Sequence, residues 1–239
     1  MAKEQHMHAE SKPANWLSRT TDAGLILLVM LMAVLLLRRE FGERGGQATS
    51  SDTRNTPTYS ALVDSNTTTG HLSGSVDAVA KFVVFNDLEC PFCAAFHKTL
   101  GEARARHRGS VSVRFVHFPL NSHRFAKPAA LAVECAGKVG RFDSMVDVVF
   151  KKQDSLGLAS WRSLAAEANV SPLDEFERCL AAGTGQFLDI EAGVRLGRSL
   201  NAPGTPTIYV NGWKLLAPPD SSEIDDMISR IHSGKSPVS

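Results

Sequence analysis

The run Lys81-Phe82-Val83-Val84-Phe85 is continuously apolar rather than alternating, and five residues beyond it stands Cys90-Pro91-Phe92-Cys93. An unbroken run of β-branched and aromatic residues suits a strand buried on both faces. Proline is favoured at the first position of a helix and pushes the residue before it out of helical geometry. A helix is therefore predicted from Pro91 to about Arg106, with Cys90 at its cap. Val111 to Val116 then alternates as a second strand and stops before Pro119. Strand, helix and strand joined by a right-handed crossover make the two strands parallel neighbours, which sets the class as α/β.

Downstream, residues 124–199 read as helical, with starts at Ser160 and at Ser171-Pro172, where acidic residues occupy the first turn. Thr207-Ile208-Tyr209-Val210 and Trp213-Lys214-Leu215-Leu216 flank Asn211-Gly212, the strongest short hairpin signal. An amphipathic helix from Ser222 to about His232 follows, and 235–239 is a short tail. No internal repeat is visible.

The chain of 239 residues carries 26 Lys+Arg against 25 Asp+Glu. Residues 71–239 hold 19 basic and 18 acidic side chains, so the folded part lacks the electrostatic footprint of a nucleic-acid binder. A single stretch, Ala23 to Leu37, is apolar enough to meet a bilayer, which excludes a polytopic membrane protein. Its length suits a short anchor, a cleaved signal core or a buried helix. The long preceding segment, Trp16 and Arg19 at a membrane interface, and the distance to the small-x-small candidate Gly46-Gln47-Ala48 favour an uncleaved transmembrane anchor over 23–39. Lys3, Lys12 and Arg19 precede the span while Arg38, Arg39, Arg44 and Arg54 follow it, so charge alone leaves the orientation open. Residues 40–73, rich in Gly, Ser, Thr and Asn, read as a flexible linker, with a small edge strand near Tyr59-Val63 and a weak glycosylation acceptor at Asn66.

The four-letter Cys motif matters through its place. A cap residue faces unpaired backbone N–H groups and the positive end of the helix dipole. A thiolate at Cys90 is stabilised there, which makes it an exposed nucleophile, while Cys93 lies one turn deeper, placed to close or open a disulfide. The alternatives are half of a zinc site, for which His97, His123, Cys135 and Cys179 give no ligand spacing, and a purely structural bridge. Far downstream, Gly204-Thr205-Pro206-Thr207 precedes the hairpin. Proline suits a strand start, and a cis Thr205–Pro206 bond would turn the Thr205 backbone toward an extended substrate beside Cys90. Alone, this tetrapeptide reads equally well as an ordinary turn.

Taken together, FNDLECPFCAAFH, HFPL, GRFDSM, RSLNAPGTPTIYVNG and the terminal helix resemble the DsbA-like branch of the thioredoxin superfamily over residues 74–234. The resemblance implies a thioredoxin fold with a helical domain inserted at about 124–199, preceded here by the N-terminal transmembrane helix. It implies an extracytoplasmic thiol–disulfide oxidoreductase with Cys90 as nucleophile, Cys93 as resolving thiol, and Thr205 before a cis-proline at Pro206. No metal or organic cofactor is expected. Partners would be exported protein thiols or disulfides and a membrane redox partner that recycles the dithiol. Residues 1–22 would then be cytoplasmic and the catalytic domain periplasmic. A disulfide donor is the expected role; a reductase or isomerase, and a non-catalytic chaperone or metal-handling module, are the alternatives.

Several relatives carry a second bridge inside the insertion, which favours pairing Cys135 with Cys179 over two free buried thiols. One departure stands out: many relatives place an acidic residue six before the first cysteine, where this chain has Val84. Asp87 and Glu89 are nearby but read as solvated loop carboxylates. His97 and His123 read as surface histidines, and Arg104, Arg106, His107 and Arg108 as a solvated helix end.

Overall fold

The computed structural model describes residues 25–37, 56–64, 67–183, 185 and 187–238. The chain divides into two units, 1–54 and 55–239. In the first, residues 25–37 form helix α1, with every apolar side chain exposed. At 1.5 Å per residue it is about 20 Å long. Among the described residues no helix is long and apolar enough to cross a membrane. Residues 23, 24, 38 and 39 of the expected anchor lie outside the described residues, as do the expected cytoplasmic segment 1–22, most of the linker before Thr56, and Asn66.

The second unit is built on a six-stranded sheet. Its strands in chain order are β1 (Thr58–Tyr59), β2 (His71–Ser73), β3 (Ala80–Asn86), β4 (Val111–His117), β5 (Thr207–Val210) and β6 (Trp213–Lys214). Across the sheet the order is β1-β6-β5-β3-β4-β2. Among the described strands only β3 and β4 pair in parallel, and helix α2 (Pro91–Arg106) makes the crossover between them. The continuous apolar run of β3 is explained by two covered faces. Phe82 and Val84 pack with Phe96 and Leu100 of α2 and with Ile224 and Ile228 of the last helix; Val83 and Phe85 pack with Val63, Val116 and Tyr209. Helix α2 buries Cys93, Phe96, Leu100 and Ala103, a three-four-three spacing that forms one stripe.

Between β4 and β5 lie α3 (Ala126–Lys138), α4 (Phe142–Lys151), α5 (Trp161–Glu167), α6 (Leu173–Ala182) and α7 (Leu188–Ser199). Ser160 caps α5 by accepting from the Ser163 N–H. Helix α7 returns to the sheet through two glycines. A Cβ at Gly193 would stand 2.3 Å from the His117 carbonyl oxygen, and one at Gly197 would stand 2.6 Å from the Phe118 ring. The chain closes with α8 (Ser221–His232), whose capping box joins Asp220 and Glu223. Asn211 and Gly212 take the positive φ values that a tight hairpin demands, and the Asn211 side chain also accepts from the Lys81 N–H and donates to the Val79 carbonyl.

Two expectations need correction. The linker does not run to residue 73: β1 pairs antiparallel with β6, β2 pairs antiparallel with β4, and Val63 is buried between them in sequence. Both short strands cover open sheet edges, whose unpaired backbone groups take any extended segment regardless of its side chains. The basic helix end is not simply solvated either, since Arg106 and His107 both reach Asp225 of α8, at 3.0 and 2.7 Å.

Candidate active site

The carboxyl end of β3 delivers the chain to the site. Asn86 ends the strand, Asp87 follows with its Oδ1 accepting from the Glu89 N–H, and Cys90 stands at the cap of α2 with φ −77° and ψ 120°. Pro91 needs no partner for a backbone N–H at the first helical position. Cys90 and Cys93 are both free thiols. On the facing loop the Thr205–Pro206 peptide is cis, and the Cys90 thiol donates to the Thr205 carbonyl oxygen at 3.3 Å. The structure thus brings Cys90, Cys93, Thr205 and Pro206 together.

Cys90 is not the exposed side chain expected from its cap position. It is 4% exposed, whereas Phe92 beside it is 70% exposed. The loop carrying Thr205 reaches over the sulfur, and the helix start alone gives no warning of that cover.

The two sulfurs are electrostatically unlike. A hydrogen bond from the Cys93 thiol does most to hold Cys90 down, to a pKa of about 5; burial opposes this, and the Thr205 side chain and the Cys93 and Phe92 backbone N–H groups assist. Burial pushes Cys93 well above the usual thiol range, and the hydrogen bond it gives to Cys90 adds to that. Beside this pair the Thr205 hydroxyl is buried without a hydrogen-bond partner among the described residues.

Three residues not assigned to the site by their sequence context hold it in place. Asp87 is buried, not solvated: its Oδ2 accepts from the Leu120 N–H at 2.7 Å and meets His123 Nδ1 at 2.8 Å. Burial opposes a charge on His123, but the hydrogen bond and charge of Asp87, with Glu89 and Cys90 further off, raise its pKa overall. Glu89 accepts from the Phe125 N–H. Gln153 donates to the carbonyls of Leu88 and Cys90, at 2.9 and 3.0 Å, clamping the turn from the inserted domain. An Asx-type turn at the end of a buried strand was the available signal for Asp87; nothing local marks Gln153. Val84 is packed in the sheet core, so Asp87 supplies the buried carboxylate nearest the motif in sequence. His97 lies away from the cysteines in its pairing, bound to Asp147 of α4 at 2.6 Å.

Cys135 of α3 and Cys179 of α6 are bonded to each other within the insertion, with Cα atoms 5.7 Å apart. That bridge shares one apolar cluster with Cys90 and Cys93 but stands outside the exchange site.

Comparison with known proteins defines the class. A family model described as Thioredoxin matches residues 66–230, and the chain belongs to that family. The fold, with a dithiol where a central strand meets a helix, is that of the thioredoxin family. Among solved structures, oxidised BdbD of Bacillus subtilis has a TM-score of 0.60 at 24% identity, covering 68% of this chain and 92% of that one. Wolbachia pipientis alpha-DsbA1 has a TM-score of 0.61 at 21% identity, covering 74% and 97%. Among curated proteins, the Na(+)/H(+) antiporter NhaA 1 of Mycolicibacterium gilvum is 31% identical over 157 residues, which is 64% of this chain but 25% of that protein. A putative protein-disulfide oxidoreductase of Rickettsia bellii is 23% identical over 145 residues, 58% of this chain and 56% of that protein. The chain therefore spans about a quarter of the length of the antiporters it matches.

Proposed function

We propose that this protein is an extracytoplasmic thiol–disulfide oxidoreductase that donates the Cys90–Cys93 disulfide to exported proteins. The observation that carries the reading is the opposed character of its two sulfurs, one held ionised and the other held protonated. A substrate thiolate attacks Cys90 in the oxidised enzyme, the Cys90–Cys93 bond breaks, and Cys93 leaves with the electron pair and takes a proton. A second substrate thiolate then attacks its own sulfur in the mixed disulfide, and Cys90 leaves as a stable thiolate. The substrate loses two electrons and two thiol protons; Cys93 keeps one proton and solvent receives the other. A stable leaving thiolate favours the reduced enzyme, hence disulfide donation over reduction.

The exposed Phe92 and the Thr205 carbonyl supply an apolar contact and a backbone acceptor for an extended client peptide. The Cys135–Cys179 bridge supports an oxidising compartment. In that setting residues 23–39 serve as a single-pass anchor with the N-terminus inside, and a membrane redox partner reoxidises the dithiol. The antiporter relatives are matched over one part only, and ion transport forms no part of the proposal. The test is to mix oxidised protein with a reduced, unfolded client of two thiols. Stoichiometric client oxidation, abolished by Cys90→Ala, and an adduct that accumulates when reduced Cys93→Ala meets the same client in its disulfide form, Cys90 attacking that disulfide and releasing one client thiol, support the reading. Client oxidation that persists in Cys90→Ala contradicts it.

A further inference from the structure

A second group of chemistry-bearing side chains gathers at the junction of the sheet and the inserted helices, outside the dithiol site. His71 of β2 and His117 at the end of β4 direct their Nε2 atoms at one carboxylate oxygen, Glu134 Oε1 of α3, at 2.8 and 3.0 Å. Asp189, in the first turn of α7, brings a second carboxylate to the same place: one ligand atom each of His71, Glu134 and Asp189 lie within 4.8 Å of one another. We propose that His71, Glu134 and Asp189, with His117 hydrogen-bonded to Glu134 behind them, form a binding site for a divalent transition-metal cation of the zinc type.

Three features of the structure support this. Two carboxylates converge, and among the described residues neither is paired with a lysine or arginine; the only ion-pair partners of Glu134 are the two imidazoles. The donor spacing suits a small cation, because ligand atoms around a tetrahedral zinc with bonds of about 2.0–2.2 Å stand roughly 3.4 Å apart. The spacings of 2.8 Å from His71 to Glu134 and up to 4.8 Å within the group of His71, Glu134 and Asp189 bracket that edge, so small side-chain shifts set three ligands around one cation. Imidazole with carboxylate is a donor set for zinc and neighbouring first-row cations rather than for calcium or magnesium.

The site is also built. The His71 ring stacks on Phe142 with centroids 3.7 Å apart, and His117 meets Phe115 and Phe142 edge-on. Glu134 and His117 are buried, while the side chain of His71 is 31% exposed and opens the cluster to solvent. Asp189 owes its position to Gly193 one turn later, whose missing Cβ lets α7 lie against the end of β4. A cation here ties edge strand β2 and helices α3 and α7 to the sheet, a structural role distinct from disulfide exchange.

Thiolates are zinc ligands in general, so the test uses the full chain with Cys90–Cys93 oxidised, stripped with EDTA and titrated with zinc chloride by calorimetry. The expected result is one zinc per chain and a higher melting temperature, reversed by EDTA. His71→Gln and Asp189→Asn, both at partly or fully exposed positions, should each weaken binding by about tenfold or more, with an unchanged circular dichroism spectrum and an unchanged rate of client oxidation. No zinc uptake by the oxidised wild-type chain, or uptake undiminished in both variants, overturns the proposal.

Discussion

The Cys90 sulfur lies 3.3 Å from the carbonyl oxygen of Thr205, a residue 115 positions later in the chain. That contact joins the two halves of the sheet at the reacting atom. It also explains why the nucleophile is covered: the backbone edge that suits a client peptide is the same edge that closes over the thiol. The Thr205 hydroxyl, buried and unpartnered in the thiol state, is a donor held ready for the thiolate. A buried donor without a partner costs about 1–3 kcal/mol, so ionisation of Cys90 relieves a penalty already present.

Thr205→Val removes that donor while keeping the shape. The Cys90 pKa should rise toward the usual thiol value without reaching it, because the Cys93 hydrogen bond and two backbone N–H groups remain. Thiolate absorbance near 240 nm measures the shift, and an unchanged midpoint would remove Thr205 from the account.

Redox-linked stability should depend on pH with a definite sign. The Cys90 pKa is lowered on folding, so the stability it contributes to the reduced protein is full above the unfolded thiol pKa and is lost as pH falls toward about 5. The oxidised protein has no such contribution. The melting temperature of the reduced form relative to the oxidised form should therefore climb from about pH 5 to about pH 8, above which the raised pKa of Cys93 opposes the gain, and a flat difference over that range would contradict the assignment.

Asp87→Ala removes the acceptor of the Glu89 and Leu120 N–H groups and the partner of His123. Hydrogen bonds to a charged group contribute about 1.5–3 kcal/mol each when buried partners are left unpaired. A loss of about 2–4 kcal/mol in urea unfolding is expected, with slower client oxidation. The His123 pKa should fall in the same variant, which proton NMR reads directly.

Replacing both Cys135 and Cys179 with Ser opens a loop with a sequence separation of 44. The chain-entropy cost is about 4 kcal/mol, and measured values for such bridges run about 2–4 kcal/mol. Stability should fall by that amount while the Cys90 pKa and client oxidation stay near the wild-type values, because Cys135 and Cys179 are bonded to each other and take no part in the exchange proposed at Cys90 and Cys93. Lost activity in a still-folded variant would show that the insertion positions the dithiol more tightly than described.

Much of the fold is written locally. The buried run at Phe82–Phe85, the proline after Cys90, the Asn211-Gly212 turn and the stripe at Cys93, Phe96, Leu100 and Ala103 each specify an element from a few adjacent residues. The strand β2 is not, because His71–Ser73 is short, carries no apolar run and owes its conformation to an open edge of the sheet, whereas β1 overlaps the edge strand expected near Tyr59–Val63. The same limit applies at the site. Pro91 announces the cap that holds Cys90, but the cover from Thr205, the clamp from Gln153 and the burial of Asp87 depend on contacts made across 33 or more residues. The metal-type cluster of His71, His117, Glu134 and Asp189 draws on four elements and has no spacing signature at all.

The most direct test of the central claim is a pH titration of the Cys90 thiolate in the reduced full chain, followed at 240 nm against a Cys90→Ala control. The account predicts a single ionisation with a midpoint of about 5, absent in the control. A midpoint near the value of about 8.5 for an ordinary cysteine would contradict it.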